Sequence, residues 1–219
     1  MTLAVLLLAV ALDLAFGDPP NRFHPVAWLG RALAVGQRLL CRGSPPALLF
    51  GGALLTVGVA ALAALAGALV ETMAQRLGPF GLVLEAAALA CLVSLRGLAA
   101  AARRVAAALE RGELDAARAL VGRDLVSRPT AALDAGQVAS ATVESVAENL
   151  TDSFLAPACF FLVGGLPGVA AYRALNTADA MFGYREGALE HFGKVAARLD
   201  DLANLLPARL AGSAIVAGA

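Results

Sequence analysis

The sequence predicts an all-α, polytopic integral membrane protein, and three observations carry that prediction. Apolar and aromatic residues make up 59% of the 219 positions before any of the 22 glycines is counted, whereas soluble domains reach about 45–50% with glycine included. Charged residues amount to only 16%, against about a quarter in a soluble domain, too few to cover a globule of this size with polar surface. The third observation is a charge-free stretch from Pro46 to Val70, longer than the ~20 residues that cross a bilayer core. The balance of 17 basic and 17 acidic side chains speaks against nucleic acid as a partner, since that affinity comes largely from phosphate neutralisation. The apolar excess also excludes disorder.

The elements follow in chain order. Thr2 to Phe16 is an apolar run containing Asp13; without a basic leading region or a small-residue cleavage pattern it reads as a retained membrane helix rather than a signal peptide. Gly17-Asp18-Pro19-Pro20 and His24-Pro25 mark a rigid turn. The 46–70 stretch is the surest span. Leu77 to Leu95, interrupted only by Glu85, is a second, because a lone acid there is tolerated when it faces protein or water. Residues 97 to 122 combine helix formers, charges gathered on one side and Gly112 as a break, which predicts an amphipathic helical hairpin. Ser153 to Tyr172 is again free of charge, but its GGLPG core (Gly164 to Gly168) suits no helix interior.

Arginine counting orients these pieces. Residues 18–45 hold four arginines and one acid, 96–152 hold seven arginines, and 71–76 hold only Arg76; the richer stretches belong in the cytoplasm. A re-entrant hairpin broken at Gly164, Gly165 and Pro167 keeps the arginines of 173–209 on that same side, and broken backbone is tolerated where it lines a protein cavity. The expectation is one membrane-embedded domain over residues 1–219, with 96–152 a cytoplasmic helical insertion. After Arg209 only ten apolar residues follow, half a span, so the natural chain is expected to continue.

Chemistry gathers in the polar clusters. Cys41, Cys91 and Cys159 share no metal spacing and read as packing residues, and His24 and His191 are too few for zinc. Glu144, Glu148 and Asp152 fall at i, i+4 and i+8, hence on one helical face. Like charges so placed destabilise a lone helix, so the face is either solvated or matched to a cation such as Mg²⁺. From Tyr172 to Leu210, Asn176, Thr177, Asp179, Asp200, Asp201 and Asn204 are hard oxygen donors, and Arg173, Arg185, Lys194, Arg198 and Arg209 suit phosphate or carboxylate. Asp200 and Asn204 share a face, whereas Asp201 points about 100° away toward Arg198 at i−3. Spacing alone leaves two readings, surface ion pairs or a site for an anion or Mg²⁺-phosphate. No Walker-type loop is present.

The order of the motifs is more specific than any one of them. Asp13, Gly17-Asp18-Pro19 and His24-Pro25-Val26 lead, then Arg123-Asp124, Val143-Glu144-Ser145, Glu148-Asn149, Asp152 and Ala156-Pro157. Asn176-Thr177, Asp179 and Gly183 follow, then Phe192-Gly193, Ala197-Arg198, Asp200-Asp201, Asn204 and Pro207-Ala208-Arg209. In this order the chain resembles the adenosylcobinamide-phosphate synthase family of cobalamin biosynthesis (CobD/CbiB). It departs at Leu125, where the family often has Thr.

The resemblance implies a multi-pass enzyme of the cell's inner membrane with a cytoplasmic active site. It would join a propionate carboxylate of adenosylcobyric acid to the amine of aminopropanol or its phosphate, as a carbon–nitrogen ligase using ATP and Mg²⁺. Glu144, Glu148, Asp152, Asp179, Asp200 and Asp201 would be its catalytic groups, with Glu148, Asp152 and Asp200 on the metal. Asp18, His24, Arg173, Asn176, Arg198, Asn204 and Arg209 would bind substrate. The implied partners are the corrinoid, the amine, membrane lipid and other enzymes of the pathway. A transporter, or a non-catalytic membrane scaffold for those enzymes, is the alternative.

Overall fold

A computed structural model describes residues 2–218, and every regular element among them is helical. The helices are α1 (Thr2–Phe16), α2 (Pro25–Leu40), α3 (Pro45–Arg76), α4 (Pro79–Ala90), α5 (Leu95–Glu110), α6 (Leu114–Asp124), α7 (Ala135–Leu150), α8 (Ala156–Phe182), α9 (Leu189–Phe192) and α10 (Lys194–Gly218), with one π-helical turn, Thr151–Leu155, between α7 and α8. Proline stands in the first turn of α2, α3, α4 and α8, where its missing N–H has no intrahelical partner to lose. Three helical stretches are long and apolar enough to cross a membrane, Pro45–Arg76, Pro79–Glu110 and Ala135–Phe182. The all-α membrane fold is therefore as predicted, and the predicted amphipathic hairpin forms as α5 and α6, turning at Gly112 with φ +73°.

The third stretch is not one straight helix. Gly165 adopts φ 61°, ψ −157°, a backbone region that only glycine occupies without strain. Beyond it the chain turns back, because the Phe160 and Tyr172 rings stack at 4.9 Å although a straight helix would separate them by roughly 18 Å. The expected break into a hairpin thus forms, with an outgoing arm 156–164 and a return arm 166–182. Pro167 sits in the first turn of the return arm. Glu71 of α3 accepts the Leu166 N–H at 3.0 Å and so caps the new helix start inside the apolar region, where an unpaired N–H costs several kcal/mol.

The return arm lies along α3 through small residues. A Cβ on Gly67 would stand 2.6 Å from the Leu166 carbonyl, and one on Gly52 would stand 1.8 Å from the Phe192 carbonyl. Phe192 belongs to α9, which meets the far end of the return arm through the edge-on Phe182 and Phe192 rings at 5.4 Å; the return arm and α3 therefore run antiparallel, with Tyr172 and Arg173 between these two ends.

Two apolar cores result. The larger joins α1, α3, α4, α8 and α9, with Phe161, Phe182 and Phe192 fully buried. The smaller, built on Val105, Ala108, Ala117, Val121 and Val138, holds α5, α6 and α7 together. Asp13 and Arg96 tie the two regions. The buried Asp13 Oδ2 accepts the N–H groups of Leu95 and Arg96, both at 3.0 Å, capping α5. The Arg96 guanidinium donates to the carbonyls of Leu14 and Ala15, capping α1.

Candidate active site

Folding the hairpin back brings residues of three elements together. Asp152 lies in the π turn, Tyr172, Arg173 and Asn176 on the return arm, and Asp200 and Asn204 one turn apart on α10. The Tyr172 hydroxyl stands 3.0 Å from Asn204 Oδ1 and 3.4 Å from Asp152 Oδ1. Asn204 Nδ2 donates to Asp200 Oδ2 at 3.0 Å, and Asn176 Nδ2 to Asp200 Oδ1 at 3.3 Å. Arg173 donates to the Asp152 carbonyl at 3.1 Å and to Asn176 Oδ1 at 3.4 Å, while its Nε is buried with no partner. Asp200 is only 9% exposed. Burial, and then the charges of Asp152 and Asp179, push its carboxyl up to about 6.

This cluster backs a cavity of about 890 Å³ between the return arm and the α5–α7 unit, within the size range of ligand sites. Its outer wall is neutralised. Arg123 and Arg104 both bind Asp124, at 2.6 and 2.9 Å, and Arg128 binds Glu144 at 3.0 Å. The two arginines, by hydrogen bonds first, hold the Asp124 carboxyl far below the usual range. The inner wall differs, since Glu148, Asp152 and Asp179 line the same space against the single Arg173. Gly183 permits this, because a Cβ there would meet Asp179 Oδ1 at 2.1 Å.

The expected site residues divide accordingly. Glu144, Glu148, Asp152, Asp179, Arg173 and Asn176 line the cavity, and Asp200 and Asn204 stand directly behind it. Asp18 and His24 form an adjoining strut. His24 Nε2 is 3.5 Å from Asp18 Oδ1, and the Ser94 hydroxyl donates to Asp18 Oδ2 at 2.7 Å. The Ser94 N–H in turn donates to the Ser153 carbonyl beside Asp152. Burial raises the Asp18 carboxyl, but those hydrogen bonds and the charges of His24 and Arg173 outweigh it and leave it below its ordinary value.

Three expected residues are not brought in. Asp201 points away from Asp200 and stands 4.0 Å from Arg198, both about three-quarters exposed. Arg209 folds back onto the Leu205 carbonyl of its own helix. The geometry of helix α10, about 100° between neighbours, turns these side chains out of the hydrogen-bond network around Asp200, although the Asp201 charge still acts on Asp179.

Sequence reading missed Tyr172, Ser94 and the Asp13–Arg96 clasp. Tyr172 shares the spacing i, i+4, i+7, i+11 with Asn176, Asp179 and Gly183, a single helical face that was there to be read. The partners of Ser94 and Asp13 lie 76 to 83 residues away, and no local pattern announces them.

With this geometry in place, comparison with known proteins is decisive. A family model described as CobD/Cbib protein matches residues 6–219. The chain belongs to the CobD/Cbib family. It is 41% identical over 216 residues to the cobalamin biosynthesis protein CobD of Brucella suis biovar 1, covering 96% of this chain and 66% of that protein. It is 39% identical to the probable cobalamin biosynthesis protein CobD of Methanothermobacter thermautotrophicus (99% and 69%) and 38% identical to the CobD protein of Dehalococcoides mccartyi (98% and 69%). The chain thus spans about two thirds of the length of these CobD/Cbib relatives. No solved structure matches it.

Proposed function

We propose that this chain acts in cobalamin biosynthesis as the ligase that joins aminopropanol, or aminopropanol phosphate, to a propionate carboxylate of adenosylcobyric acid. The carrying observation is the uneven charge of the cavity. Its outer carboxylates are each matched by arginine, whereas Glu148, Asp152 and Asp179, with Asp200 behind them, face one guanidinium.

Such a wall attracts cations, and the reaction offers two, the amine as ammonium and Mg²⁺. The donor set suits Mg²⁺ shared with phosphate rather than caged by protein. Among the described residues no three His, Cys, Asp or Glu side chains group to hold a metal, while Mg²⁺ typically takes one or two carboxylates and completes its shell with water and phosphate. Asp152 and Asp200 would hold it, with Asn176 and Asn204 beside them. ATP, when bound, supplies the phosphoryl group that turns a carboxylate oxygen into a leaving group.

The chain's own residues do the rest. Glu148 and Asp179 at the cavity wall hold the amine and accept its proton as the new bond forms. Arg173, which lines the cavity, sets a fixed positive charge beside the acyl or phosphoryl group, where such a charge is worth most. Tyr172 keeps Asp152 and Asn204 in register. The seven arginines of 96–152 and the five basic residues of 173–209 support a cytoplasmic position for this cavity.

The test is product formation by purified protein given ATP, Mg²⁺, a corrinoid acid and either amine. Cobinamide or its phosphate is expected, with ATP hydrolysed in step and nothing formed when Mg²⁺ is chelated. Corrinoid uptake into vesicles without any coupling would overturn the ligase in favour of a transporter.

A further inference from the structure

A second cavity, of about 420 Å³, has no polar function in that scheme. It runs between α2, α3, α4 and the return arm, walled by Trp28, Leu29, Val59, Leu62, Val70 and Leu166. From Val59 to Val70 its α3 wall extends roughly 16 Å along the helix. That wall lies wholly within the charge-free 46–70 stretch, so water has nothing to bind there.

Two arginines stand in the chain beside its Trp28 and Pro25 edge, Arg31 on α2 and Arg22, whose guanidinium lies over the Phe23 ring at 4.7 Å; among the described residues neither pairs with a carboxylate. They lie near one another: the Arg31 guanidinium donates to the Asn21 carbonyl at 3.4 Å, and the Trp28 indole N–H donates to the Arg22 carbonyl at 2.9 Å. A half-exposed tryptophan with a polar anchor at one end and an apolar slot at the other is the residue pattern of a membrane–water boundary.

We propose that this groove is a binding site for an anionic phospholipid, one acyl chain lying along α3 and the headgroup phosphate held by Arg22 and Arg31. Charge complementarity selects the acidic lipid over a zwitterionic one, since guanidinium binds phosphate by paired, charge-assisted hydrogen bonds. The tail supplies the apolar partner that the exposed Leu62 and Trp28 otherwise lack.

Trp28 is the only tryptophan in the chain, so its fluorescence reports this groove directly. The protein is placed in nanodiscs containing either dibrominated phosphatidylglycerol or dibrominated phosphatidylcholine, and quenching of Trp28 is measured. Phosphatidylglycerol is expected to associate more tightly by roughly five-fold for each arginine engaged. In the Arg22→Gln/Arg31→Gln variant that preference falls to about one. Ala66→Phe, at an exposed position on the groove wall, fills the slot and lowers quenching by both lipids while helicity by circular dichroism is kept. Equal quenching by the two lipids in wild type, or an undiminished preference in the double arginine variant, overturns the proposal. Recovery of fluorescence on adding inorganic phosphate would also overturn it, by showing a phosphate site without a lipid tail.

Discussion

The two walls of the polar cavity are built from the same residue types and behave oppositely. On the outer wall, Arg123, Asp124, Arg128 and Glu144 are mutually paired, and all but Asp124 have well-exposed side chains. On the inner wall, Asp152, Arg173 and Asp200 are held by amides, a phenol and backbone carbonyls rather than by opposite charges alone. Exposed ion pairs contribute about 0–1 kcal/mol each. Buried groups held off their preferred ionisation are instead available for a ligand, at some expense of stability. Acidic and basic residues crowd both walls, so composition cannot tell them apart; burial and the identity of the partner can.

That contrast is sharpest at Arg173. Replacing it by Gln removes the charge opposite three carboxylates, and the amide-forming rate is expected to fall by roughly 10²–10³, the usual cost of losing one fixed transition-state donor. Arg173→Lys should recover little, because a point charge does not reproduce a guanidinium held from two sides. A lysine variant with near wild-type rate would place the arginine among residues needed only for charge balance.

Next in size is the inner carboxylate set. Glu148→Gln keeps shape but loses charge and is expected to abolish coupling with membrane insertion intact, as read by product assay and protease protection. Asp200→Asn should lower the rate by at least about tenfold more than Asp201→Asn, since only Asp200 joins the network while Asp201 stands in an exposed pair. Equal, mild losses in the two variants would return both acids to the surface class.

A smaller effect separates stability from activity. The Asp200 carboxyl is raised to about 6 by burial and by Asp152 and Asp179, so the folded protein binds a proton there that the unfolded chain, near 3.9, does not. Stability contributed by this group is present below the unfolded value and is lost as pH rises through about 6. With Mg²⁺ chelated, Asp200→Asn should therefore raise Tm at pH 7.5 and leave it nearly unchanged at pH 4.5. A variant that melts lower than wild type at pH 7.5 would show that ionised Asp200 is stabilising after all. The smallest effect belongs to the outer wall, where Arg128→Ala is expected to change stability by less than about 1 kcal/mol and the rate within about two-fold, by denaturant melts and the same product assay.

Much of the fold was legible because its signals are local. The Gly164–Gly168 break, the Gly112 turn and the 46–70 span each declare themselves within a few residues. The Asp200–Asn204 alignment was legible for the same reason, being one helical turn. What escaped depends on pairing across the chain. Glu71 reads as the end of a span, yet it accepts an N–H 95 residues further on. Tyr172 reads as the edge of an apolar run, and only the fold-back at Gly165 sets it between Asp152 and Asn204. Arg198 and Arg209 read as clamps by charge, but the helix carrying them points them elsewhere.

The clasp of Asp13 by the start of α5 bears on how the protein is made. The acceptor emerges early and its donors, Leu95 and Arg96, follow 82 and 83 residues later. At typical synthesis rates that is a wait of roughly 4–16 s. During it, a helix of 15 residues sits at the membrane with an acid that has no backbone partner, and at that length it is short even for a bilayer core. Helix α1 is thus seated only when α5 follows it, and the insertion machinery must keep it within reach until then.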